Sequence, residues 1–162
     1  MMNLDNVKKL VRLCIKKNIR MNLAESCTGG LVCSNIISVA NASKVFELGF
    51  ITYSNEAKIK LLKIPNNIIS THGAVSRKTA YYMATGLAKY KNINFSFAIT
   101  GIAGPSGGTP QKPVGLVYFS FYLRNTKIKI DKKIFKGTRN TIREKAADYA
   151  INRAIEIIEL NI

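Results

Sequence analysis

A three-layer α/β/α domain, with a mixed sheet and helices on both of its faces, is the fold class this sequence predicts. Three observations carry the prediction. Apolar runs of strand length alternate with segments of helical periodicity through the first hundred residues, polar and glycine-rich segments fall at the expected strand ends, and two β-like runs then follow one another before a long closing helix.

Leu4, Val7, Leu10, Val11, Cys14 and Ile15 recur at three- and four-residue spacing with Lys8, Lys9, Arg12, Lys16 and Lys17 between them, which predicts an opening amphipathic helix. Residues 21–24 read as a short buried strand ended by Gly29 and Gly30, and residues 31–39 as a second helix. A strand, a tight turn and a helix in that order set the turn where α/β proteins bind ligands. Residues 46–54, rich in aromatic and β-branched types, suit a strand; residues 55–63 form a short helix capped by Ser54 or Asn55 and stopped by Pro65. Ser76 can cap a helix running to about Lys91, and residues 95–100 supply the next strand. Residues 101–113 hold too many Gly and Pro for either regular structure. Residues 114–123 and 127–135 suggest a hairpin around Arg124, Asn125 and Thr126, and Thr138 or Asn140 begins a helix to about Leu160.

With 162 residues the chain is the size of one domain, 1–162, large enough to bury roughly 70% of its unfolded surface without staples. No apolar stretch approaches the roughly 18 to 20 residues that span a bilayer, and the charged amphipathic start is no signal sequence, so a cytoplasmic protein is expected. Cys14, Cys27 and Cys33 lack paired C-x-x-C spacing and are expected as reduced thiols. No set of His, Cys and carboxylates has metal-ligand spacing, so neither a metal nor a cofactor is expected. The formal net charge of +16 raises the question of nucleic acid. The lysines are scattered without aromatic interleaving, in a composition rich in Lys, Ile and Asn, and nucleic acid is not the expected partner. A positive field can still draw in a small phosphorylated substrate.

Four segments interrupt apolar runs at strand ends: residues 25–30, 52–58, 101–112 and 137–143. Ser26 sits on a tight turn where the amides of Cys27 through Gly30 are candidates to hold an oxyanion; a helix-capping serine is the alternative. Cys27 is a rival nucleophile, although a buried inert thiol is the commoner fate of an isolated cysteine. A serine needs a base. The single histidine, His72, precedes Gly73 in an expected loop, and no G-x-S-x-G elbow is present. Lys58 is the better candidate if it is desolvated beside Tyr53, because the base must be a neutral amine; a solvated helix lysine is the alternative. The glycine loop resembles a phosphate cradle but matches neither G-x-x-x-x-G-K-[ST] nor G-x-G-x-x-G. Arg139 and Arg143, four apart on one helix face, could clamp a phosphate or carboxylate.

Taken together, AESCTGG (24–30), GFITYSNEAK (49–58), HGAVS (72–76) and ITGIAGPSGGTPQKPVG (99–115) resemble the CinA carboxy-terminal domain, or nicotinamide-nucleotide amidase, family. The resemblance runs from the first helix to the last and implies the stand-alone form, without the molybdopterin-binding-like domain that some members carry. It implies hydrolysis of the carboxamide of nicotinamide mononucleotide (NMN) to nicotinic acid mononucleotide and ammonia. The nucleophile falls on Ser26, its lysine partner on Lys58 and an assisting tyrosine on Tyr53. Substrate contacts are implied at Glu25, Thr28, Gly29, Gly30, Thr100, Gly101, Gly104, Gly107, Gly108, Thr109 and Arg139, and less directly at Arg143. Where the family has an Asp before its first arginine, this chain has Thr138. A homodimer or higher homo-oligomer is the implied assembly. An amidase for another small amide, and a non-catalytic nucleotide-sensing or DNA-associated module, are the competing readings.

Overall fold

The computed structural model describes residues 3–90 and 93–161. Six helices and five strands follow in the order α1 (Leu4–Lys16), β1 (Met21–Glu25), α2 (Leu31–Ile37), β2 (Phe46–Ile51), α3 (Asn55–Leu62), α4 (Asn66–His72), α5 (Arg77–Leu87), β3 (Phe95–Gly101), β4 (Leu116–Leu123), β5 (Lys129–Ile134) and α6 (Arg139–Asn161). The strands form one sheet in the order β2-β1-β3-β4-β5. β1 is parallel to both β2 and β3, whereas β4 and β5 add an antiparallel ribbon. The mixed three-layer class is what the sequence predicts.

Several boundaries differ for local reasons. The strand expected over residues 46–54 stops at Ile51, because Ser54 turns the chain into α3 by accepting from the Ala57 amide. His72, expected in a loop, instead ends the short helix α4 that begins behind Pro65. The helix capped by Ser76 ends at Leu87, where the Ala88 amide turns back on Ala84 and Gly86; its expected end at Lys91 lies outside the described residues.

The two sheet faces are built from different residues because period-2 alternation separates them. Leu23, Phe95, Phe97, Phe119 and Phe121 point to one side and pack against α1, α2 and α6. The other face carries small and polar residues, Asn22, Ala24, Ser96, Ala98 and Ser120, all buried. Small residues let α5 sit close enough for side chains of the sheet to bond its carbonyls: Ser96 Oγ donates to Ala84 O at 2.9 Å and Asn22 Nδ2 to Leu87 O at 3.5 Å. On its far side α5 meets the end of α3 at Gly86, where an added Cβ would stand 2.2 Å from Leu62 O. Backbone cannot yield as a side chain can. Gly86→Ala will therefore cost about 2–3 kcal/mol and lower the melting temperature by roughly 5–10 °C, which a thermal denaturation series would register; an unchanged midpoint would contradict this packing.

At the far edge β5 presents Lys129, Lys132 and Lys133 outward, a charged border that discourages strand addition. Asp131 ties this edge to α6 through Tyr149 Oη and Arg153 Nε, each donating at 2.9 Å. Among the described residues no helix is long and apolar enough to cross a membrane.

The chain leaves β1 toward α2 on the aromatic face and leaves β2 toward α3 on the small-residue face. Adjacent strands whose exits diverge leave a crevice beyond their carboxyl ends, where α/β folds bind ligands.

Candidate active site

At that crevice the carboxyl end of β1 delivers Ser26 and the first turn of α3 delivers Lys58. Lys58 is only 1% exposed and is among the largest fully buried side chains. Its ammonium nitrogen lies 3.1 Å from Ser26 Oγ and donates to Thr52 O at 2.7 Å and Tyr53 O at 3.3 Å. No carboxylate shares this contact set. Burial pushes the Lys58 pKa down to about 8 from its ordinary 10.5. A helical side chain also leans toward its own amino terminus, here the positive end of α3, which disfavours the ammonium further. A neutral amine has two N–H groups and one lone pair. Two carbonyls can take the N–H groups, leaving the lone pair for the Ser26 hydroxyl.

Ser26, Lys58, Tyr53, Thr100, Gly101 and Arg139 line one cavity of about 280 Å³. Cys27, Ala74, Val75 and Ala103 complete its wall. Thr100 Oγ1, donating to Ala74 O at 2.8 Å, secures Ala74 and Val75 as an apolar side of the cavity. Cys27 has an inert thiol, because burial raises its pKa to about 12. His72 stands exposed at the end of α4, where its carbonyl accepts from Lys112 Nζ at 2.6 Å. It takes no part in the cavity.

Other expected residues are placed differently. The Tyr53 phenol, 64% exposed, accepts from Arg139 at 3.1 Å at the cavity rim, and only the Tyr53 carbonyl touches Lys58. The phenol thus meets Arg139, while Lys58 and Ser26 are in direct contact with each other. Glu25 is 0% exposed and points away from the cavity, because consecutive strand residues face opposite sides. Its carboxylate accepts from the amides of Gly30 at 3.0 Å, Val32 at 3.2 Å and Cys33 at 2.8 Å, capping α2 where Gly30 has no side chain to do so. Gly30 itself has φ +93° and faces Ile51, so glycine alone fits.

The turn amides expected to hold an oxyanion divide in two. Gly29 N donates to Ser26 O and Gly30 N to Glu25, whereas the amides of Cys27 and Thr28 reach no oxygen acceptor among the described residues. Thr28, Gly29 and Gly30 thus shape the turn without lining the cavity. The glycine loop is likewise not a cradle at the cavity. Gly104 offers its carbonyl to Arg139 at 2.7 Å, Thr109 closes a turn on Lys112, and Gly107, Gly108 and Thr109 lie outside the lining. Arg143 does not pair with Arg139 as a clamp. Its guanidinium donates to Cys27 O at 3.1 Å and Thr28 O at 2.9 Å, behind the serine turn. Thr138 caps α6 through its hydroxyl, which accepts from Thr141 N at 3.3 Å, and so sets Arg139 at the rim.

The family model described as the CinA C-terminal domain matches residues 4–158. A CinA-like protein of Kosmotoga olearia is 50% identical over 143 residues, 88% of this chain and 34% of the relative. The chain thus spans about a third of the length of that relative. Among solved structures, a competence/damage inducible protein of Agrobacterium tumefaciens is 36% identical with a TM-score of 0.86, covering 97% of this chain and 96% of its own. A CinA superfamily protein of Escherichia coli is 30% identical with a TM-score of 0.91, covering 96% and 90%.

Proposed function

The chain belongs to the CinA C-terminal domain family, and on that premise we propose that it is a nicotinamide-nucleotide amidase, hydrolysing the carboxamide of NMN to nicotinic acid mononucleotide and ammonia. The observation that carries the reading is the buried Lys58 within 3.1 Å of Ser26 with no acid to hold its charge. A structural lysine would have a carboxylate or solvent; this one has two carbonyls and a serine.

The chemistry follows from these positions. Neutral Lys58 Nζ takes the Ser26 proton as Oγ bonds to the amide carbon, and the carbonyl π pair moves onto oxygen, beside the Cys27 amide. The tetrahedral adduct collapses by returning the pair and breaking the C–N bond, and Lys58 gives its proton to the departing nitrogen as ammonia. Water, deprotonated by Lys58, then adds to the ester carbon, and the C–Oγ bond breaks as Lys58 returns the proton to Ser26 and the carboxylic acid leaves. The apolar wall of Ala74, Val75 and Ala103 suits a flat aromatic ring, and Arg139 at the rim suits a phosphate carried away from the reacting carbon. A cytoplasmic setting fits such a substrate.

Ammonia release from NMN, compared with nicotinamide riboside, tests the reading. NMN should be preferred by about 10²-fold or more in kcat/KM, the worth of one charge-assisted phosphate contact of about 3 kcal/mol. Equal turnover would make the enzyme an amidase of phosphate-free amides, and no ammonia from either would refute the assignment.

A further inference from the structure

A second groove, of about 590 Å³, lies between α5 and β5 and shares no lining residue with the cavity that holds Ser26. One wall is α5, with Arg77, Lys78, Tyr81 and Tyr82; the other is Lys127, Ile128 and Ile130 at the start of β5. Among the described residues no carboxylate lines it. Asp131, next to Ile130, faces the other side of the sheet, where Tyr149 and Arg153 hold it. Arg77, Lys78 and Lys127 are exposed, and among the described residues none of their side chains enters an ion pair or hydrogen bond. The cationic surface of α1 differs on each count. There Lys9 and Arg12 share a hollow with Asp5, Lys9 pairs with Glu159 at 2.8 Å, and no aromatic ring lines it.

Charge is spread along the α5–β5 groove. Thr100, near the end of β3, bonds Ala74 just ahead of α5, while Ser96, near the start of β3, bonds Ala84. α5 therefore runs against β3, starting from the active-site end of the sheet. β5 runs with β3, because each is antiparallel to β4. Arg77 and Lys78 thus stand at one end of the groove and Lys127 at the other, with the tyrosines and isoleucines between. Tyr81 is 41% exposed and is braced edge-to-face by Tyr82, with ring centroids 5.4 Å apart.

We propose that this groove binds single-stranded nucleic acid, with phosphates at Arg77, Lys78 and Lys127 and a base stacked on Tyr81. A single strand alternates phosphates with open ring faces, the order in which the groove presents cations and aromatic rings. A free nucleotide carries its charge at one end of its base, a duplex hides its base faces, and an acidic peptide need bring no ring. The fold here sets a lysine from a distant hairpin beside two tyrosines, an interleaving that the order of residues does not show. The proposal is independent of the amidase reading, because the groove takes no part in that chemistry.

The test follows fluorescence anisotropy of a labelled oligo(dT) of about twelve nucleotides with the full chain in about 50 mM salt, where a dissociation constant on the order of 10 μM is expected. Tyr81→Ala should weaken binding about tenfold, and Tyr81→Phe, which keeps the ring, should stay within about twofold of wild type. Arg77→Gln combined with Lys127→Gln should weaken binding about tenfold or more and reduce the slope of log K against log salt by about 1.4, two contacts at about 0.7 each. Arg12→Gln combined with Lys16→Gln removes the same charge from α1 and should change neither quantity. Melting curves confirm folding, and any ammonia release from NMN should be unaltered in every variant, so that the two activities are read apart. Oligo(U) in place of oligo(dT) identifies the sugar: binding of either strand supports the groove, and the tighter one names its ligand. Binding of neither overturns the proposal. So do a duplex or thymidine monophosphate bound as tightly as the strand, polyglutamate displacing oligo(dT) as well as unlabelled oligo(dT) does, full affinity in Tyr81→Ala, or equal losses in the α1 and groove variants.

Discussion

Replacing Lys58 with methionine will lower ammonia release by about 10³-fold or more while the domain stays folded, and Ser26→Ala will match that loss. General-base removal alone is worth about 10²–10⁴-fold, and here the base also serves as acid for the departing nitrogen. Methionine fills nearly the same volume without the amine. The wild-type kcat/KM should rise about tenfold per pH unit up to the Lys58 pKa of about 8 and then level, since only the neutral amine can accept the serine proton. Stability carries the same signature with a definite sign. Lys58 has a depressed folded pKa, about 8 against 10.5, so below pH 8 the ammonium is present in both states and the folded state bears its full burial penalty. Between these values the folded protein sheds the proton and the unfolded chain keeps it. Stability therefore rises with pH across that window, by up to about 3 kcal/mol. Urea midpoints at pH 7 and pH 10.5 should diverge between wild type and Lys58→Met, the wild type gaining relative to the variant. Parallel midpoints, or a variant with more than a tenth of wild-type turnover, would show that Lys58 is not a desolvated base.

The position of this dyad was half visible in the chain itself. Ser26 follows a buried strand and precedes two glycines, and Lys58 follows a capping Ser54, so local rules place both at strand ends. Burial of Lys58 also had a signal, although the chain around it reads as polar. Leu62 lies four residues on, the spacing of one helix face, and α3 buries both. The misplacements share a physical cause. Glu25 and Ser26 adjoin in sequence, but alternation sends them to opposite sides of the sheet; the charged residue nearest the nucleophile is the one least able to meet substrate. The resemblance implies an assisting tyrosine at Tyr53, whereas the contact with Lys58 is made by the Tyr53 carbonyl, a group every residue carries and no sequence pattern marks. Arg143 required knowing that α6 crosses behind the serine turn, a contact 116 residues distant in sequence. Glycine density marks the loop 101–113, whose Gly101 and Ala103 line the cavity, but not its use, because the same flexibility serves a self-closing turn as readily as an anion cradle.

Glu25→Gln should destabilise the domain by about 3 kcal/mol and slow turnover by roughly tenfold, an effect out of proportion to the exchange of one oxygen for an NH₂ group. The Glu25 side chain is 0% exposed and its two oxygens accept three amide donors, Gly30, Val32 and Cys33. Glutamine brings one acceptor oxygen and two new donors into a pocket already full of donors. At least one amide then loses its acceptor in a site closed to water, at about 1–3 kcal/mol, and the favourable charge at the start of α2 disappears. The turn between Glu25 and Gly30 also carries Ser26 and the Cys27 amide, so slackening its far anchor at Gly30 shifts the groups proposed to meet the amide. Glu25→Asp separates the two contributions. Aspartate keeps the charge but is one methylene short, so it should restore part of the stability and less of the rate. A glutamine variant with wild-type melting and a raised KM would mean that Glu25 meets substrate after all. Loss of stability accompanied by lower kcat at near-constant KM is the outcome that a buried helix cap dictates, with the nucleophile held on one side by this carboxylate and on the other by Arg143.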